Sequence, residues 1–365
     1  MSLQNYVSSA GFDITTFVLN NANERRYHSE PNGIVCIDGD TGATMSFRAL
    51  ESMVDGVAFG LIDRLGLSRG DVVAICSPST LQYPALALAT LRAGCIATFI
   101  NFKSSQSELQ EHLKNTNAKA VIAHHKLLYK VSLAVREAGI NISAGRIVSM
   151  SPIPMTPANP CLLDILSTKP LNQATQEPLS MSLVQNSTAI VNYSPSLDKS
   201  QKSENEAISH GTIVSALSKA LEMQKGTNES SGELNNQHIV LNFSALNQIS
   251  IPSADEPKRH GLIETILFEL CSGKQIIISQ MCSFGSVRGL AARYNIHKLY
   301  IEAQDEGSPE FSTNKVILCP YKYTPYLSTA SQTKLSSAGR DNSTNELSQE
   351  PKRTLICTDV YRSRL

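Results

Sequence analysis

The sequence lacks the features that mark several classes of protein. It has no tryptophan, and aromatic residues make up only 6% of its 365 residues. Its 32 basic and 32 acidic side chains cancel, so the charge balance does not predict binding to nucleic acid or to an anionic membrane. The longest apolar stretch, residues 84–100, is short and contains Arg92, which excludes it as a membrane span.

Closely spaced cysteine pairs are also absent. Eight cysteines are scattered along the chain without a C-x-x-C motif, whereas a zinc site or a disulfide framework needs close spacing. The pattern predicts buried, reduced thiols, as in an intracellular globular protein, and no metal site. His124 and His125 are adjacent at a predicted strand end, so we expect their side chains on opposite faces, in a structural role.

The first 150 residues alternate between strand and helix signals. Ser46 is a predicted N-cap before apolar residues at helical spacing, and Ser105-x-x-Glu108 is a predicted capping box. Apolar or β-branched runs predict the strands, which lie at residues 34–37, 71–76, 95–100, 118–123 and 146–150. One helix between successive strands implies βαβ crossovers and a mostly parallel sheet.

The second half repeats this alternation after a long polar interruption. A strand is predicted at residues 187–193 and a helix at 212–224. Residues 194–209 between them are almost all polar and contain no glycine, which favours a loop. The alternation resumes over residues 238–301, whereas residues 328–351 are rich in Ser, Thr and Asn, a composition that predicts poorly ordered packing.

Several stretches resemble a known family. Residues 65–83 contain a Gly-Asp-x-Val-Ala-Ile strand, residues 91–101 contain a Leu-Arg-Ala-Gly turn before an apolar strand, and Ser209 and His210 precede a helix. In this order, over residues 10–301, they resemble the AMP-dependent synthetase or adenylate-forming family. Within that family the sequence is most similar to the 4-coumarate–CoA ligases and related acyl-CoA ligases.

The resemblance implies a fold and a reaction. The fold is α/β, with the mostly parallel βαβ sheets of the adenylate-forming enzyme large domain and without the family's small C-terminal domain. In the family, ATP and a carboxylic acid form an acyl-adenylate and pyrophosphate, and coenzyme A then displaces AMP to give a thioester. ATP with Mg²⁺, CoA and a small carboxylic acid are therefore the implied cofactors and substrate class.

The predicted organisation has three parts. They are a first βαβ subdomain at residues 1–180, a second βαβ subdomain with a degenerate phosphate loop at residues 181–305, and a poorly ordered remnant with a targeting tail at residues 306–365.

The expected phosphate loop departs from the family pattern, Ser-Ser-Gly-Thr-Thr-Gly-x-Pro-Lys-Gly. Glycines there let backbone N–H groups wrap around phosphates, but residues 194–206 contain none, and Pro195 has no N–H to donate. Three acids against two lysines make this stretch net negative. The candidates for phosphate or cofactor contacts are Ser194, Ser196, Lys199, Lys202 and His210. The alternatives are a solvated surface loop for the first four and a helix-start role for His210.

Two functional hypotheses follow from the family resemblance together with the altered phosphate loop. The first is an acyl- or aryl-CoA ligase that activates a carboxylic acid with ATP and CoA, with reduced or lost activity. The second is a non-catalytic relative that acts as a binding or interaction scaffold. No catalytic residue is assigned. In both hypotheses we expect ATP·Mg to bind weakly or not at all, because catalysis of this kind depends on clamped phosphates.

The last three residues suggest a targeting signal. Ser363, Arg364 and Leu365 are similar to the Ser-Lys-Leu signal that the peroxisomal import receptor reads. They predict a peroxisomal location with that receptor as a partner. The alternative is a cytoplasmic protein whose tripeptide matches by chance.

Overall fold

The fold was analysed in a computed structural model of the chain. The residues that it describes are 13–151, 156, 158–166, 186–194, 204–229, 239–242, 262–279, 289–290, 293–294, 296–301, 315–318 and 356–359. Two mostly parallel sheets with helices between their strands confirm the predicted α/β class. No helix in this described part is long and apolar enough to cross a membrane.

Local signals set the elements of the first half. Ser46 caps the second helix by accepting a hydrogen bond from the backbone N–H of Ala49, and Ser105 and Glu108 form the predicted capping box. The elements in chain order are α1 (Ile14–Ala22), β1 (Ile34–Asp38), β2 (Thr44–Ser46), α2 (Phe47–Asp63), β3 (Val72–Cys76), α3 (Tyr83–Arg92), β4 (Ile96–Ile100), α4 (Gln106–Asn115), β5 (Ala118–Ala123), α5 (Leu128–Glu137) and β6 (Ile147–Ser149).

The second half adds shorter elements. A π-helical turn at Ile263–Leu267 leads directly into the helix Phe268–Cys271. The elements in chain order are α6 (Leu162–Ile165), β7 (Thr188–Ser194), β8 (Glu204–Ser209), α7 (His210–Glu229), β9 (Ile239–Asn242), α8 (Phe268–Cys271), β10 (Gln275–Ile278), β11 (Ile296–Ile301), β12 (Lys315–Leu318) and β13 (Ile356–Asp359).

The strands form two sheets. Sheet I has the order β6-β5-β3-β4-β7-β8 and is parallel throughout except for the β7–β8 pair. Sheet II has the order β13-β12-β11-β9-β10-β1-β2, and its four adjacent strands β11, β9, β10 and β1 are parallel. Because β1 pairs with β10, strands from opposite ends of the chain share sheet II. The division at residues 180 and 305 stays a prediction.

Apolar side chains cover both faces of sheet I. Val73 and Ile75 of β3 face the larger core, which includes α1, α2, α3 and α7. The alternating residues Val72, Ala74 and Cys76 face a second core built on α4 and α5. Both faces of the sheet are therefore buried, as expected for a parallel sheet with helices on each side.

Two local predictions are wrong. Residues 204–209 form β8 instead of part of a loop, because they pair with β7 along its length. The rings of His124 and His125 lie 4.1 Å apart instead of on opposite faces. The chain leaves β5 at Ala123 and turns into a 3₁₀ helix at His125–Leu127, so the alternation of a strand no longer applies there.

The remaining predictions concern the cysteines and the C-terminal part of the chain. The five described cysteines whose side chains are placed form no disulfide and are buried, as predicted: Cys36, Cys76, Cys95, Cys161 and Cys271. Burial raises the pKa of Cys76 to about 12, so that thiol stays protonated at neutral pH. Residues 328–351 lie outside the described part, and β13 was not among the predicted strands.

Candidate functional site

The expected phosphate loop lies between the strands of a β-hairpin. Strands β7 and β8 are antiparallel, and their register pairs Ser194 with Glu204 at the open end. Ser194 is therefore the last residue of β7, at the entrance to the loop. Ser196, Lys199 and Lys202 lie outside the described residues, so their role as phosphate contacts stays a prediction.

The hairpin leads the chain to one edge of sheet I. Strand β7 runs parallel to β4, with Ile190 in register with Ala97, and β4 runs parallel to β3. The carboxyl ends of these three strands consequently meet at the same edge, where Ser194 is the last residue of β7. Ligands of open α/β sheets bind outside the carboxyl ends of the strands, so β7 ends at the edge where such a binding site is expected.

Acidic residues follow the loop directly. Strand β8 begins with Glu204 and contains the exposed Glu206, which pairs in register with Asn192 of β7. Two acidic residues thus follow the candidate phosphate loop within three positions of the chain. Their charge opposes the binding of a polyanion, because like charges close together repel.

A buried histidine contacts the hairpin from the side of α4. The ring of His112 lies 4.5 Å from the ring of Tyr193, at an interplanar angle of 48°. Its Nε2 is 2.8 Å from the hydroxyl oxygen of Thr98 on β4, within hydrogen-bond distance. Burial lowers the pKa of His112 to about 4. The imidazole is therefore neutral at physiological pH.

The second strand of the hairpin contacts the same helix. The side-chain amide of Asn205 donates a hydrogen bond of 2.9 Å to the backbone carbonyl of Asn115, the last residue of α4. Such a bond satisfies one of the carbonyls that a helix leaves unpaired at its C-terminus. Tyr193 and Asn205 are partners in the hairpin register, so one cross-strand pair makes both contacts with α4.

His210 lies at the far end of the hairpin, where β8 passes into α7. It is buried, and its Nδ1 accepts a hydrogen bond of 3.2 Å from the backbone N–H of Ile14, the first residue of α1. Burial lowers the pKa of His210, and the nearby Asp13 carboxylate partly opposes that shift. The bond supports the helix-start role considered for His210, since Nδ1 is already engaged with the backbone.

Sequence reasoning missed the contacts that α4 makes with the hairpin. His112 shares the buried side of α4 with Leu109 and Leu113, at i, i+3 and i+4 spacing. That spacing identifies His112 as a residue facing the core, and it was the available signal. Nothing in the sequence indicated that Asn205 would reach Asn115.

Comparisons with known proteins agree on one family. A family model described as AMP-binding enzyme matches residues 23–194. The chain is 24% identical over 297 residues to 4-coumarate–CoA ligase-like 8 of Arabidopsis thaliana, which covers 80% of this chain and 47% of the relative. It is 29% identical over 125 residues to peroxisomal OPC-8:0-CoA ligase 1 of the same plant, covering 34% of this chain and 21% of the relative.

The fold is also that of solved structures. The luciferase-like enzyme from the nonluminescent mealworm Zophobas morio superimposes with a TM-score of 0.61 at 12% identity, covering 80% of this chain and 60% of that one. The chain spans about half the length of the first of these curated relatives and about a fifth of the second. Residues 23–194 are therefore similar to the AMP-binding enzyme family, and the two mostly parallel sheets have the large-domain fold of the adenylate-forming enzymes.

Proposed function

We propose that this chain is an acyl- or aryl-CoA ligase-like protein in which the ATP-dependent activation of a carboxylic acid is reduced or lost. The class of reaction is suggested by similarity to the family and by the names of the two Arabidopsis relatives, both of which contain "CoA ligase". A small carboxylic acid, CoA and ATP with Mg²⁺ are then the ligands to test. The reduced activity is argued from the chain's own loop.

The observation that carries the proposal is the loop between β7 and β8. A phosphate loop needs several backbone N–H groups pointing inward, which glycines at positive φ allow. Residues 194–203 supply no glycine, and Pro195 removes one donor. Glu204 and Glu206 add negative charge where the loop returns to the sheet. This donor set does not fit a triphosphate, so no catalytic step through ATP is derived.

Calorimetric titration tests the nucleotide part of the proposal. The purified full chain is titrated with ATP·Mg, with AMP and CoA in parallel, after circular dichroism has established a folded sample. We expect no measurable ATP binding at micromolar concentrations. A micromolar dissociation constant for ATP·Mg would overturn the proposal, and screening of carboxylic acids for pyrophosphate release would then be the next assay.

A second experiment replaces the loop and tests whether the chain gains ATP·Mg binding. Residues 194–203 are exchanged for the family's Ser-Ser-Gly-Thr-Thr-Gly-x-Pro-Lys-Gly sequence. The matched control carries the same insert with its three glycines changed to serine. If the loop is what prevents binding, the glycine-rich variant gains affinity for ATP·Mg and the serine control does not. Equal behaviour of the two variants would contradict the argument from backbone donors.

We further propose a peroxisomal location. One relative is named a peroxisomal ligase, and the tripeptide Ser363-Arg364-Leu365 is similar to the import signal. A fluorescent protein fused to the N-terminus of the full chain is expected in peroxisomes, and the Leu365→Lys variant in the cytoplasm. The same diffuse distribution for both proteins would contradict the location.

A further inference from the structure

A single turn of α4 contacts both strands of the β7–β8 hairpin. The Tyr193 ring of β7 lies against His112, and the Asn205 amide of β8 donates to the Asn115 carbonyl. His112 and Asn115 are three residues apart and therefore on one face of the helix. Because Tyr193 and Asn205 face each other in the hairpin register, the two contacts hold both strands at the same level, one residue from the loop.

The contacts with α4 lie beyond the described register of the hairpin on β4. The register of β7 on β4 is described by one pair, Ala97 with Ile190. Strand β8 is the outermost strand of sheet I. Within the described residues, Tyr193 is therefore three residues beyond the registered pair, and its ring contact with α4 adds to the restraint that pairing with β8 gives this end of β7.

His112 is itself held in place from two sides. Thr98, fully buried on β4, bonds to its Nε2, and the Thr116 hydroxyl donates a hydrogen bond of 2.7 Å to its backbone carbonyl. The ring is only slightly exposed. A side chain fixed by hydrogen bonding and by packing is a suitable anchor, since buried side chains keep one rotamer.

We propose that His112 is a positioning residue that fixes the loop end of the β7–β8 hairpin, with the Asn115 carbonyl as a second anchor. The positions of Tyr193 and Asn205 then depend on α4 as well as on the sheet. The inference rests on the proposed function only in taking the sequence between β7 and β8 for the functional loop. In this role His112 supports the hairpin through the Tyr193 ring and does not contact a ligand.

Hydrogen–deuterium exchange of the full chain tests this directly and needs no nucleotide, so a failed ATP experiment does not affect the result. His112→Ala is expected to speed exchange of peptides from residues 188–209 by about tenfold, while peptides from residues 34–63 stay unchanged. His112→Gln, which can still bond to Thr98, is expected to restore part of the protection. Uniform acceleration over all peptides would show a merely structural role and overturn the proposal.

Two further variants keep the test decisive if His112→Ala does not fold. Leu109→Ala removes a buried side chain from the same helix and should loosen α4 without selecting the hairpin. Asn205→Ala removes the second contact from an exposed position, with the exposed neighbour Glu206→Ala as its control. We expect about threefold faster exchange in β8 for Asn205→Ala alone. Unchanged exchange in that variant would contradict the second anchor.

Discussion

The buried His112 should make the folded chain less stable as the pH falls from 7 to 5. Its pKa is lowered to about 4 by burial, whereas an unfolded histidine has a pKa of about 6.5. Between these values the unfolded state binds more protons than the folded state, so the free energy of unfolding rises with pH. The contribution of His112 is therefore fully present above pH 6.5 and is lost as the pH falls towards 4.

The size of this effect follows from the two pKa values. A folded pKa of about 4 against an unfolded pKa of about 6.5 gives a loss of about 2 kcal/mol between pH 7 and pH 5. Solvent screens the His112 ring only slightly, because this residue is only 6% exposed. His124 and His210 also have lowered pKa values, so they contribute to the pH dependence with the same sign as His112.

The contribution of His112 is isolated by comparing how much unfolding free energy two proteins lose between pH 7 and pH 5. Urea unfolding is followed by circular dichroism at pH 7 and pH 5 for the wild-type chain and for His112→Gln. His124 and His210 titrate in both proteins, so their contributions cancel. The wild type should lose about 2 kcal/mol more than the variant over this interval. The same pH dependence in both proteins would refute the reasoning, since His112 would then titrate alike in the folded and unfolded chain.

Two further substitutions test the packing and the helix caps. At Gly60 in α2, an added Cβ would overlap the carbonyl oxygen of Ile165 in α6, so Gly60→Ala should cost about 1–3 kcal/mol by overpacking; an unchanged thermal midpoint would contradict that contact. Ser105→Ala removes the N-cap of α4 and should cost about 1 kcal/mol in urea unfolding, whereas Ser105→Asp, which can still accept the N–H of Glu108, should cost less. Equal losses for the two Ser105 variants would argue against the cap.

The hairpin explains how one chain can keep the family's fold while its loop diverges. The contacts that hold the hairpin involve Thr98, His112 and Asn115, and each lies in β4 or α4, outside the loop. Substitutions between residues 195 and 203 therefore leave the restraint at the loop entrance intact. If residues 194–203 are the phosphate loop, as we propose, they can be exchanged without changing the contacts that hold the hairpin, and for this reason the loop replacement is an informative experiment.

The sequence by itself determined the features whose causes lie within one turn of the chain. The Ser46 cap and the Ser105–Glu108 capping box were correctly predicted because their hydrogen bonds join residues at most three apart. The alternation of helices and apolar strands predicted the parallel α/β fold for the same reason, since periodicity is a local property. The lack of glycine in residues 194–206 is likewise visible in the sequence alone.

Only the tertiary structure decided the features that join distant residues. Residues 204–209 are polar enough to suggest a loop, and they become β8 because β7 offers them a strand to pair with. His210 bonds to Ile14 across 196 positions, and Asn205 reaches Asn115 across 90. No local pattern encodes such partners, because they are brought together by packing of whole elements. The support of the candidate loop therefore became visible only in the fold.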